Sequence, residues 1–170
     1  IDKTIQCVSN LITKTAELSD QFSDIKKTTG LTDAEVKKLN SSFKDFDTRT
    51  PNEELRKLAS EAGKLGKTGY DDIRRFVEEA NKIKVALGED LGENAVIEIQ
   101  KISDAFGVGA LQTASAVNSL GASSAATEAF LVDFGSKVAG VSRTVNISIP
   151  DILSYGAVFN SLGLEAEMSS

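Results

Sequence analysis

Apolar residues recur at steps of three and four along most of this chain. Ile1, Ile5, Val8 and Ile12 open the pattern, and Leu11, Leu18, Phe22 and Ile25 continue it. That spacing predicts one long amphipathic helix over residues 1–29, stopped at Gly30. Leu11, Leu18 and Ile25 lie seven apart, which fits a coiled-coil seam, so Leu11, Leu18, Phe22 and Ile25 form a candidate self-association stripe. The same stripe fits a helix packed on its own domain equally well.

Thr32-Asp33-Ala34-Glu35 has the form of a capping box and opens a second helix, with Leu39, Phe43 and Phe46 inward, running to about Asp47. Thr50-Pro51-Asn52-Glu53 reads as another box with Pro at the first helical position, ahead of Leu55, Leu58, Ala62 and Leu65. Gly66 ends that helix. The next begins between Thr68 and Asp71 and presents Ile73, Phe76, Val77, Ala80, Ile83 and Leu87. Gly88 and Gly92 bracket an acidic link, and Val96, Ile99, Ile102 and Phe106 mark a further helix. Helices are then expected from Ala110 to Leu120, from Ser124 to Ala139, and from a Ser148-Ile149-Pro150-Asp151 start to Leu162. Leu164 to Met168 reads as the opening of one more. Val141 to Ile149 alternates β-branched residues, but nothing offers it a partner strand, so a loop is expected there.

The tetrapeptide Asn-Ser-Leu-Gly occurs at 118–121 and again at 160–163. Aligning the copies superposes Leu111 on Leu153 and Val117 on Phe159, and the match decays beyond that. Two partial copies are too few for a stacked repeat. Each reads instead as an apolar last turn closed by a left-handed glycine. Glycine-stopped helices of 10–20 residues predict an all-α fold of short antiparallel helices behind a long N-terminal helix. Residues 1–48 would be a helical arm and 50–170 a compact helical domain.

Composition narrows the chemistry. With no His and a single Cys, Cys7, neither a Ser-His nor a Cys-His pair can form, and no Cys/His zinc set exists. Cys7 sits among Ile5, Val8 and Leu11 and reads as a packing residue. Residues 1–84 hold 16 of the 19 Lys/Arg and 15 of the 25 Asp/Glu, which leaves 85–170 strongly acidic. An acidic half argues against binding along a nucleic-acid backbone, so no sequence-specific nucleic-acid partner is expected. No apolar run is long enough to cross a bilayer, and no secretory signal opens the chain. The first residue is Ile, as expected of a piece of a longer chain.

Three stretches invite a site and decline one. Glu61 to Thr68 ends in Gly-Lys-Thr, but Glu61 occupies the place of the first glycine of a phosphate loop, and no strand precedes it. Asp45-Phe46-Asp47 is too short for a calcium loop. Glu89, Asp90 and Glu93 read as a solvated link with acidic residues at a helix start. No carboxylate pair has surroundings that would separate its pKa values. The expectation is a non-enzymatic protein with no catalytic residues, no cofactor and no metal.

The order of several segments is more telling than any one of them. Lys64–Thr68 (Lys-Leu-Gly-Lys-Thr), Ala86–Gly92 (Ala-Leu-Gly-Glu-Asp-Leu-Gly), Leu120–Ser124 (Leu-Gly-Ala-Ser-Ser), Val138–Val141 and Ile147–Leu153 follow one another over residues 53–170. This run resembles the core region of phage tail tape measure proteins, while residues 1–48 match only as a helical lead-in. The resemblance implies a structural protein in the lumen of a growing tail, present in the host cytoplasm during assembly. Tail tube subunits would polymerise around it, so that its length sets tail length, and it would leave ahead of the DNA. Tail tube protein, tail assembly chaperones and tail-tip proteins are the implied partners, with self-association and host membrane contact at infection. At ~1.5 Å per helical residue the chain would span roughly 250 Å as one helix, but its glycines predict a compact segment instead. The competing expectation is a helical interaction or coiled-coil module without a tail role.

Overall fold

The computed structural model describes residues 2–88, 91, 94–145 and 147–164. Among these, every regular element is helical: α1 Asp2–Thr29, α2 Asp33–Ser42, a 3-10 turn Phe43–Asp45, α3 Asn52–Lys64, α4 Tyr70–Leu87, α5 Ala95–Phe106, α6 Ala110–Ser123, α7 Glu128–Val145 and α8 Ile149–Ser161. The all-α expectation therefore holds, with the long helix first. The opening suggested for Leu164–Met168 lies, past Leu164, outside the described residues, as do Glu89, Asp90, Glu93 and the Cys7 side chain.

Several boundaries follow from local chemistry. Thr32 caps α2 with a complete capping box: its hydroxyl accepts from Glu35 N at 3.3 Å, and Thr32 N donates to Glu35 Oε2 at 2.9 Å. Ser148 caps α8 through its hydroxyl, which accepts from Asp151 N at 3.3 Å with Pro150 in the first turn, but without the reciprocal backbone bond of a full box. Gly66 (φ +77°) and Gly163 (φ +75°) close Schellman turns. In the second, Leu164 N reaches Phe159 O at 3.0 Å and Gly163 N reaches Asn160 O at 2.9 Å. A Cβ at such a φ would be strained, which is why these turns hold glycine.

Three expectations differ from the structure. Thr50 does not cap α3. Pro51 takes the cap position, its carbonyl accepting from Glu54 N and Leu55 N, while Thr50 Oγ1 accepts from Thr48 Oγ1 at 3.0 Å. Gly121 does not end a helix either, because α6 runs on to Ser123 and Gly121 keeps a helical φ. The Glu128 side chain lies over Gly121, its Cδ 2.5 Å from where a Cβ would stand. Only the second Asn-Ser-Leu-Gly copy is a left-handed stop, and Leu111 is exposed where its partner Leu153 is fully buried. Finally, residues 141–145 continue α7 rather than forming a loop. β-Branched residues cost a helix only a few tenths of a kcal/mol each, and the next helix opens at Ile149 behind the Ser148 cap.

The chain forms two compact units, Ile1–Asn81 and Lys82–Ser170, with the division inside α4. This differs from an arm ending at 48, because α1 packs on α3. In the first unit Ile25, Val36, Leu39, Phe43, Leu55, Ala59, Ala62, Ile73 and Val77 form the core. At the α1–α3 crossing a Cβ on Gly63 would stand 2.5 Å from the Thr28 carbonyl carbon. Arg56 of α3 donates from Nε to Gln21 Oε1 on α1 and from Nη1 to Asn40 Oδ1 on α2 at 2.9 Å, tying three helices together.

In the second unit α5, α6, α7 and α8 enclose Ile99, Ile102, Val117, Leu131, Val132 and Leu153. Two glycines let the helices approach. A Cβ on Gly135 would lie 3.0 Å from Ile102 Cδ1, and one on Gly156 would lie 2.6 Å from the Phe134 ring. The buried Ser103 and Thr113 hydroxyls meet at 2.8 Å across α5 and α6, which satisfies both polar groups inside the core.

Candidate functional site

The proposed self-association stripe does not lie on one surface. Leu11 is 61% exposed, Leu18 and Phe22 are half-buried, and Ile25 is 1% exposed in the first unit's core. Ile25 is therefore corrected from interface to core residue. A seven-residue spacing keeps side chains on one side of a helix, but α3 covers only the C-terminal part of α1. What remains open is a shallow surface of Leu11, Ile12, Thr15, Ala16 and Ser19, with Ile12 66% exposed. Thr15 Oγ1 donates to Leu11 O at 2.8 Å, so its hydroxyl is satisfied within the helix and its methyl group adds to the apolar face.

Glu61 to Thr68 forms the end of α3 and the Gly66 turn, with Gly63 pressed against Thr28 and no preceding strand. The Asp45-Phe46-Asp47 stretch buries Phe46, over whose ring the Arg74 guanidinium lies at 5.2 Å. Among the described residues, no three His, Cys, Asp or Glu side chains gather as a metal site would require. No helix among them is long and apolar enough to cross a membrane.

The perturbed ionisable groups all serve helix structure. Glu35's carboxyl is held below its ordinary range by the backbone N–H and the hydroxyl of Thr32. The Lys26 ammonium, 2.7 Å away, does the same for Asp33. Burial lowers the Arg56 guanidinium, opposed by the charge of Glu53, and the Glu54 carboxylate raises Lys57.

The segments that carried the resemblance fall mostly at helix ends: Lys64–Thr68 after α3, Ala86–Gly88 at the close of α4, Leu120–Ser124 at the end of α6, and Ile147–Leu153 opening α8. Val138–Val141 is instead inside α7. Sequence reasoning missed two features of the second unit. One is a groove of about 360 Å³ lined by Phe106, Val108, Thr113, Ile147 and Pro150, among others. The other is the outer face of α8, where Tyr155, Val158 and Leu162 are 54%, 54% and 70% exposed. Their 3,4 spacing is present in the sequence, but α8 is apolar nearly all round, so spacing alone does not separate inner from outer face. The chain matches no protein-family model, no curated protein and no solved structure.

Proposed function

We propose that this chain is a segment of a phage tail tape measure protein, a structural component around which tail tube subunits polymerise. The observation that carries the reading is the ordered run of segments from Lys64–Thr68 to Ile147–Leu153. The all-α architecture is consistent with a structural role. On this reading the protein occupies the tail lumen, meets tail tube, chaperone and tail-tip proteins during assembly, and is released ahead of DNA. The acidic second half would limit adhesion to passing nucleic acid by charge repulsion.

In-frame removal of residues 53–170 from the full-length gene product tests it directly, with tail length read by electron microscopy. Shorter tails are expected, by at most about 1.5 Å per residue removed. Tails of unchanged length that still contain the shortened protein would overturn the proposal. A second reading, a helical interaction module without a tail role, draws on the exposed Leu11 and Ile12. Mass spectrometry of purified particles separates the two, because the module reading predicts that the protein is absent from virions.

A further inference from the structure

We draw no further inference here: the strongest candidate, the groove of about 360 Å³ between the end of α5, the first turns of α6 and the start of α8, is walled mainly by apolar side chains, and nothing in the structure shows what covers it.

Discussion

Gly63 sits in mid-helix, where alanine would ordinarily be an improvement, and yet Gly63→Ala should destabilise the chain. Propensity alone favours alanine by about 0.8–1 kcal/mol in a helix interior. Against that, the new Cβ would stand 2.5 Å from Thr28 C, 2.6 Å from Thr28 O and 2.8 Å from Thr28 Cβ. Two of those atoms are backbone, so no rotamer change relieves the contact. α1 and α3 must separate by about an ångström to restore ordinary contact distances near 3.5 Å. That shift loosens the packing around Ile25, Leu55, Ala59 and Ala62, and stretches the 3.4 Å approach of Thr28 Oγ1 to Ser60 Oγ. Overpacking of this kind costs about 1–3 kcal/mol, and contact with rigid backbone places this case toward the upper end, so the clash outweighs propensity and a net loss of up to about 2 kcal/mol is expected. Gly140→Ala is the control. Gly140 lies in α7 with open space where a Cβ would sit, nothing coming within 4 Å of it, so the same change should stabilise by up to about 1 kcal/mol. Urea melts followed by far-UV circular dichroism compare both variants with wild type. A Gly63→Ala midpoint equal to or above wild type would refute the reasoning, because the close approach of α1 would then not exist.

Thr32→Ala should cost about 1 kcal/mol by removing the α2 cap, and a denaturation midpoint within error of wild type would show that the capping box contributes nothing. Glu35 carries a sign in pH: its carboxyl is lowered by the Thr32 hydrogen bonds, so its stabilisation is full above its ordinary value and disappears as pH falls through the lowered one. An NMR titration placing Glu35 at or above the usual glutamate range would contradict this, and Glu35→Gln, which retains box geometry, should show a flatter acid limb. Thr113→Val should cost about 0.5–1.5 kcal/mol by removing the cross-helix hydrogen bond to Ser103, whose hydroxyl still donates to Ile99 O at 2.7 Å. Adding Ser103→Ala should cost less than the two single changes summed, and strict additivity in chemical denaturation would argue that the pair is not coupled.

What can be read from the letters, and what cannot, divides along the range of the cause. The Thr32 box and the Gly66 and Gly163 stops are set by residues within one turn of each other, so a local pattern suffices to find them. Gly63, Gly121 and Gly156 are the same letter in the same kind of helix, but what stands over each comes from another helix: the Thr28 backbone, the movable Glu128 side chain and the Phe134 ring. Nothing local distinguishes such a glycine from a stop, which is why the pattern predicts an end to α6 at Gly121 that the fold does not make. The same limit governs the candidate surfaces. Leu11 and Ile25 are equivalent by heptad position, and only the extent of α3 makes one solvent-facing and the other core. On α8 the reverse holds: both faces are apolar, so periodicity carries little contrast, and the packing of α6 and α7 decides that Leu153 is inside and Val158 outside. Apolar spacing states that a residue will be covered without naming what covers it. For Ile25 the answer is α3 of the same chain; for Val158, 54% exposed on the outer face of α8, no helix of its own unit supplies that cover.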